Sequence, residues 1–393
     1  MIRKINADRL YTGTTDVALL DKVVIFDPQG TILQIDDLAA HDPASLEKLE
    51  GALVPGFINT HCHLELSHMK DKANTGTGLV PFLQTVVNFR DISMEEILDA
   101  IDRADAEMWD GGIMAVGDIS NKADTANRKN QSQIQYYTFV EFFDFLQEEG
   151  ADTWFNNFKP AYDQQSDGNR NRKSAVPHAP YTVSRNLFKK INALNEPGCT
   201  VSIHNQETPG ENALFQTKTG SFLEFYSGFG FPLDQFQPSG KNSIHYAMEN
   251  MDPACRTLFV HNTESTREDI RAAQAWNQDI FWATCPNANL FIENRLPNYQ
   301  YFLDTEAKVT IGTDSLTSNW QLSVLEEMKT IARFQSYVPF TTILRWATIN
   351  GAEALGFEDS LGSIEVGKRP GLLLMNLGED EKLKADTVVR RIV

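Results

Sequence analysis

Residues 55–68 read PGFINTHCHLELSH. A Pro-Gly break followed by strand formers predicts a buried strand that ends at two histidines one residue apart, His61 and His63. Side chains in a strand alternate between its two faces. The two imidazoles therefore share one face and Cys62 takes the other. Two neutral imidazoles on one face are a common beginning of a divalent metal site.

Outward from this stretch, apolar strand-like runs alternate with helical ones. They are LVPGFINTHCH from Leu53, GIMAVGDIS from Gly112, YYTFVEFF from Tyr136, SAVPHAP from Ser174, TVSIHNQE from Thr200, TLFVHN from Thr257, IFWATCPN from Ile280 and KVTIGTD from Lys308. Between them lie amphipathic segments. Ser93 opens a capping box followed by Ile97, Ile101, Ala104 and Met108 at helical spacing, and Gly111-Gly112 stops that helix. Ser184 caps a second helix through Leu187 and Ile191, and a third runs from about Leu322 through Ile331. Strand–helix alternation of this kind over roughly 300 residues is the pattern of an α/β fold, a (β/α)8 TIM-type barrel. Near-continuous apolar strands fit burial on both faces. Short strands before residue 53 (RLYTG, DVALL, KVVIFD, TILQID) and after residue 357 (GSIEVGKRPGLLLMN, TVVRRIV) predict a small β-sandwich formed by the N- and C-terminal segments. The expected division is 1–52 with 358–393 for the sandwich and 53–357 for the barrel. The stretches 121–135 and 164–172 are polar and predict exposed excursions.

Composition narrows the function. A formal charge of −18 argues against a nucleic-acid or anionic-membrane partner. No apolar span approaches the length of a membrane helix, and the start MIRKINADRLYTG lacks the apolar core of a secretory signal. Four scattered cysteines read as reduced thiols of a cytoplasmic protein, with Cys285 near the site either lining it or, the favoured reading, a buried small side chain. GTGLVP from Gly76 lacks the third glycine of a dinucleotide fingerprint, and no phosphate loop or nucleophile elbow is present.

In barrels of this kind, chemistry sits at the C-terminal ends of the strands. His61 and His63 end the first run, His178 the fourth, His204 the fifth, His261 the sixth and Asp314 the eighth. Five of the eight histidines fall there, whereas His41, His68 and His245 do not. A catalytic divalent ion needs a few fixed nitrogen or oxygen ligands and an open position for water. His61, His63, His204 and Asp314 supply three imidazoles and a carboxylate. Glu207, three residues after His204, is placed to move protons between water and a leaving group. His261 is placed to hydrogen-bond the nucleophile or stabilise developing charge, and Asp314 both to ligate and to orient water.

These residues resemble the amidohydrolase superfamily, in its adenosine/cytosine-deaminase-like branch that also includes triazine chlorohydrolases. PGFINTHCHLELS carries His61 and His63, HAPYTVS carries His178 as a substrate contact, and IHNQE carries the ligand His204 and the proton shuttle Glu207. FVHN carries His261 and GTDSLTSN carries Asp314, while ATINGAEALG and GSIEVGK resemble the closing helix and returning strand. HLELSH, TGLVPFLQTVVNFR, CPNANLFIENRLP and TDSLTSN are similar to aminodeoxyfutalosine-deaminase-like proteins of menaquinone synthesis; Glu65, Arg90 and Asn294 in these stretches are candidate substrate contacts. Two departures stand out: Asn205-Gln206 before Glu207 is more polar than the pattern, and Pro370-Gly371 replaces a usual Ala-Asp. Binuclear relatives add a carboxylated lysine where this chain has His178, so the resemblance implies one divalent ion, zinc or iron.

The implied activity is hydrolytic deamination of an aminated purine-type ring on an adenine nucleoside-like molecule, with release of ammonia. The same fold and site also serve chlorohydrolases, guanine-type deaminases and cyclic amidohydrolases. A non-catalytic binding protein is the remote alternative, since such a chain is expected to have lost ligands. The expected partner is a small-molecule substrate, with no nucleic acid and no membrane, and a homodimer is a family expectation.

Overall fold

The computed structural model describes residues 2–90, 92–168, 170–378 and 380–393. The chain first lays down β1 (Arg3–Leu10), β2 (Lys22–Phe26), β3 (Ile32–Asp37) and β4 (Glu47–Pro55). Eight strands follow at the predicted positions: β5 (Phe57–Cys62), β6 (Ile113–Ser120), β7 (Gln135–Phe142), β8 (Arg172–Pro177), β9 (Thr200–Asn205), β10 (Arg256–His261), β11 (Ile280–Thr284) and β12 (Val309–Ile311). The last strands are β13 (Leu372–Met375) and β14 (Val389–Arg391).

The middle eight form two parallel ladders, β5-β6-β7-β8 and β9-β10-β11-β12. Two seams close them into one barrel. At the β8/β9 seam the His204 N–H donates to the His178 carbonyl at 2.9 Å, and Ser174 Oγ donates to the Thr200 carbonyl at 2.6 Å. At the β12/β5 seam the N–H groups of Thr313 and Asp314 donate to the His61 carbonyl at 2.9 and 3.0 Å. Both seams thus carry candidate site residues, so closing the barrel is what brings the candidate ligands of the first and last strands together. The strands are buried almost throughout, as their continuous apolar text requires.

Helices cover the outside. Ser93 Oγ accepts from the Glu96 N–H at the start of the helix Met94–Asp110, and Ser184 Oγ accepts from the Leu187 N–H at the start of Arg185–Leu194. Each such cap is worth about 1 kcal/mol. Val324–Phe334 is the third predicted helix, also capped by a serine, Ser323.

The terminal strands join in one six-stranded mixed sheet ordered β14-β13-β4-β1-β2-β3, with its own small core of Ile5, Leu10, Val24, Phe26, Leu53 and Leu372. Leu53–Pro55 belongs to this sheet, not to the barrel strand with which the sequence reading ran it together. Gly56 separates the two. Its N–H donates to the Pro370 carbonyl at 3.1 Å, and a Cβ there would lie 2.2 Å from Met114 Cγ. Pro370-Gly371 therefore meets the barrel's first strand at its base, far from the ligands. Among the described residues, no helix is long and apolar enough to cross a membrane.

The polar stretch 121–135 departs from expectation. It holds a helix, Ala126–Gln131, and buries Thr125, Lys129 and Ser132. Lys129 Nζ reaches Asp118 Oδ2 at 2.6 Å inside the protein, so this charge serves the interior rather than solvent. Gln165 in the second polar stretch is buried as well, and position 169 of that stretch lies outside the described residues.

Candidate active site

The strand ends deliver the side chains that the alternation rule selects. His61 Nε2 and His63 Nε2 lie 3.2 Å apart, with His204 Nε2 3.3 Å from His63 Nε2. Asp314 Oδ1 stands 3.5 Å from His61 Nε2 and 3.3 Å from His63 Nε2. Cys62 points the other way into the core. A tetrahedral ion with bonds of about 2.0–2.1 Å spaces its ligand atoms about 3.3–3.4 Å apart. These four contacts already stand at that spacing, and the ring nitrogens of His61, His63 and His204 all lie within 4.8 Å of one another. The residues present fit a divalent cation.

The supporting contacts orient these atoms. His204 Nδ1 donates to the His178 carbonyl at 2.8 Å, which leaves Nε2 as the lone-pair nitrogen. Ser318 Oγ donates to Asp314 Oδ2 at 2.6 Å, so Oδ1 is the free oxygen. Asp314 and His261 hold φ of 57° and 72°, left-handed values that cost a non-glycine residue about 1–3 kcal/mol. Such strain collects where a side chain must be aimed.

Burial sets the electrostatics. It pushes His63 down to about 3 and His204 well below its ordinary value, so both imidazoles are neutral at pH 7, the form that can ligate a metal. For Asp314, burial alone would raise the carboxyl, but the surrounding histidines outweigh it and hold it below the usual range.

Glu207 and His261 flank the cluster, with Glu207 Oε1 3.7 Å from His261 Nε2. His261 Nδ1 is paired with Asn289 Oδ1 at 2.8 Å, so it carries the hydrogen and Nε2 faces the site. Burial brings His261 to about 4. Burial first, then the charge of Asp314, lifts Glu207 well above the carboxylate range. Its backbone is pinned by Glu211, whose carboxylate accepts from the N–H groups of Gln206 and Glu207 at 3.0 and 3.1 Å. Gln206, half of the polar departure, bonds Asp269 and Ser265 beneath this loop and so does not enter the cavity.

A cavity opens over the cluster, and His178 and Arg90 line it. His178 Nδ1 is paired with Thr182 Oγ1 at 2.7 Å. Glu65 is placed differently from expectation. It is buried behind the wall, where it pairs with Arg90 and accepts from the N–H groups of Asn121 and Lys122 at 3.0 and 3.1 Å. With both oxygens so engaged it positions Arg90. Asn294 caps the C-terminus of the helix Pro286–Glu293 at φ 52°, exposed and away from the cavity lining. Cys285 is buried against Gly312.

The sequence reading missed Glu141 and Asn121, which line the cavity, and the apolar wall of Phe82, Leu83 and Val86. Burial raises Glu141 to about 8. Its signal was a lone carboxylate one residue from the end of an otherwise apolar barrel strand.

With this geometry in place, the similarity to known proteins is informative. Residues 52–391 match the Amidohydrolase family. The chain is 30% identical over 382 residues to an aminodeoxyfutalosine deaminase of Nitratiruptor, covering 93% of this chain and 90% of the relative. It is 27% identical to an adenosine deaminase of Helicobacter pylori, covering 83% of this chain and 79% of that one. Among solved structures, a Helicobacter pylori aminofutalosine deaminase in complex with methylthio-coformycin superimposes over the whole of both chains, with a TM-score of 0.81 at 24% identity. A Xanthomonas campestris adenosine deaminase with bound zinc gives a TM-score of 0.73 at 25% identity, over 98% of this chain and 86% of that one. The closed barrel, the converged ligand atoms and a family match over most of the length agree that this chain belongs to the amidohydrolase family.

Proposed function

We propose that this enzyme hydrolyses the exocyclic amine of an adenine-like nucleoside, giving the oxo product and ammonia, at a single divalent cation held by His61, His63, His204 and Asp314. The observation that carries this reading is the placement of Glu207 against His261, both lining the site where His61, His63 and Asp314 bring their ligand atoms within 3.2–3.5 Å of one another. The cation, zinc or iron as the resemblance implies, would supply Lewis acidity and a more acidic water when bound.

The chain's own residues do the rest. Glu207 takes one proton from the attacking water and delivers it to the ring nitrogen, then takes the proton left on the added oxygen and delivers it to the amine, which leaves as ammonia. His261 Nε2, with the ring hydrogen on Nδ1, is a second acceptor beside Asp314 for the hydrogen that the attacking oxygen keeps. Asp314 accepts from the attacking water and so aims it. His178 and Arg90 contact the substrate from the cavity wall. Leu79, Phe82, Leu83 and Val86 provide an apolar face for the ring or its 5′ substituent.

The cavity encloses about 100 Å³ as it stands, less than the several hundred of a typical ligand site. The helix Leu79–Phe89 that forms the apolar wall must yield when substrate enters.

Among adenine nucleosides, aminodeoxyfutalosine is the first candidate. The 30% identical relative carries that name, and the motifs around His63 and Pro286 resemble the same group. That substrate would place the reaction in menaquinone synthesis. The test is ammonia release by metal-loaded protein from adenosine, 5′-deoxyadenosine, 5′-methylthioadenosine and aminodeoxyfutalosine, run beside guanine and a chlorinated triazine. Turnover confined to the adenine nucleosides supports the reading; turnover of guanine or the triazine alone overturns it.

A further inference from the structure

One short pattern occurs twice at the N-terminal ends of neighbouring barrel strands. Glu196-Pro197-Gly198-Cys199 leads into β9, and Asp252-Pro253-Ala254-Cys255 leads into β10. In each, the cysteine N–H donates to the carbonyl of the acidic residue at 3.2 Å, closing a four-residue turn with proline second. Gly198 holds φ of 82°, the left-handed value that a proline–glycine turn of this type requires. Two backbone bonds tie the turns together. The Gly198 N–H donates to the Ala254 carbonyl at 3.2 Å, and the Arg256 N–H donates to the Cys199 carbonyl at 2.8 Å.

These bonds set the two cysteines side by side, one position before the paired residues Thr200 and Arg256 of the parallel ladder. Adjacent strands run about 4.8 Å apart, inside the Cα separation of about 4.4–6.8 Å that a disulfide spans. The side chains turn toward each other. Cys199 Sγ and Cys255 Sγ lie 3.2 Å apart, and both are free thiols. An S–S bond of about 2.0 Å needs a further approach of about 1 Å, within reach of small side-chain rotations. Cys199 is half-buried and Cys255 is 3% exposed, whereas Cys62 and Cys285 are fully enclosed. The hydrogen between the two sulfurs holds Cys255 below the ordinary thiol value and Cys199 above it, and groups this close titrate as a pair. Once the pair has lost one proton, the hydrogen that remains can sit on either sulfur, so the more open Cys199 can present the charge.

We infer that Cys199 and Cys255 form a site of reversible oxidation, at which hydrogen peroxide converts the two thiols into a disulfide across the N-terminal ends of β9 and β10. The Cys199 thiolate sulfur attacks one peroxide oxygen and the O–O bond breaks. This leaves a sulfenic acid on Cys199 and releases hydroxide, which takes up the proton that the pair had lost. The Cys255 sulfur then attacks the Cys199 sulfur. The S–S bond forms, the S–O bond breaks, and the hydroxide departs as water with the Cys255 hydrogen. Two thiols are oxidised to one disulfide while one peroxide is reduced to two waters, and a dithiol reductant reverses the bond. His204 and His261 lie toward the opposite ends of the same two strands, so the bond forms away from the candidate active site.

The experiment treats the zinc-loaded full chain with hydrogen peroxide, removes the excess with catalase and alkylates the remaining thiols in denaturant. Unreduced peptides are then read by mass spectrometry. The expected result is one linked pair of peptides holding Cys199 and Cys255, lighter by two hydrogens than the separate thiol peptides, with Cys62 and Cys285 alkylated. Dithiothreitol should restore both thiols. Because the bond closes a loop between residues 56 positions apart, it should also raise Tm by about 3–5 °C with zinc content unchanged. Cys255→Ser should stop at a sulfenic acid on Cys199, trapped by dimedone, and show no rise in Tm. The linked peptide of the wild type needs no variant, so the test stands even if Cys255→Ser does not fold. Three results would overturn the inference: both cysteines still alkylated after peroxide that oxidises glutathione in the same tube, Cys199 joined to a second copy of the chain, or oxidation to sulfinic acid without a link.

Discussion

Replacing Lys129 by methionine should destabilise the protein severely. Lys129 Nζ is 2.6 Å from Asp118 Oδ2, with side-chain exposures of 2% and 0%. Nζ also donates to Ser120 Oγ at 3.0 Å and Thr138 Oγ1 at 3.1 Å, so every hydrogen of the ammonium is used. Asp118 Oδ1 accepts from the Leu64 N–H at 2.7 Å, one residue past the proposed ligand His63. Methionine keeps most of the stem's volume but leaves the Asp118 carboxylate buried without its counter-charge. Removing one partner of a buried pair costs about 3–5 kcal/mol. For a chain of this length, unfolding entropy near 2.1 cal/mol/K per residue converts that cost into a Tm lower by roughly 4–6 °C. Differential scanning calorimetry at a fixed scan rate and pH 7 reads the shift. The double variant Lys129→Met with Asp118→Asn removes both charges while an amide oxygen still accepts from Leu64, and should recover most of the loss. A Lys129→Met protein within about 1 °C of the wild type would refute the claim that this pair holds the segment behind His63.

Two further outcomes follow from the site. Glu207→Gln should lower kcat by about 10²–10⁴-fold, the usual worth of a positioned proton-transfer group, with unchanged metal content by elemental analysis; substantial retained turnover would remove Glu207 from that role. Chelator-treated protein should lose stability as pH rises from about 6.5 to 8.5. Burial raises Glu141 and Glu327 to about 8, so the folded chain holds protons there that the unfolded chain, with carboxyls near 4.5, has released. His63, His178 and His261 are shifted down by burial and act in the opposite sense, but only below about pH 6.5, where an unfolded histidine begins to bind its proton. Thermal melts that are flat or rising across this window contradict the assignment.

The barrel was legible because its strands are short, apolar and punctuated, and because their polar residues gather at one end. That end placement gave His61, His63, His178, His204, His261 and Asp314 together. Hydrophobicity could not separate Leu53–Pro55 from Phe57–Cys62, since both segments are buried and only the crowding at Gly56 divides them. It also misread residues 121–135, because a polar segment that supplies the partner of a buried carboxylate looks like one bound for solvent. Glu65 lay in the right stretch but one layer back, since strand and loop patterns give proximity and not the direction of a long side chain. Glu141 was hidden by the aromatic text around it.

The most direct test of the account is an anomalous diffraction map from crystals grown with zinc. One peak bonded to His61 Nε2, His63 Nε2, His204 Nε2 and an oxygen of Asp314, at about 2.0–2.2 Å from each, is the predicted result. A zinc-loaded crystal whose anomalous density lies elsewhere, or in which Asp314 stands away from the imidazoles, would contradict it.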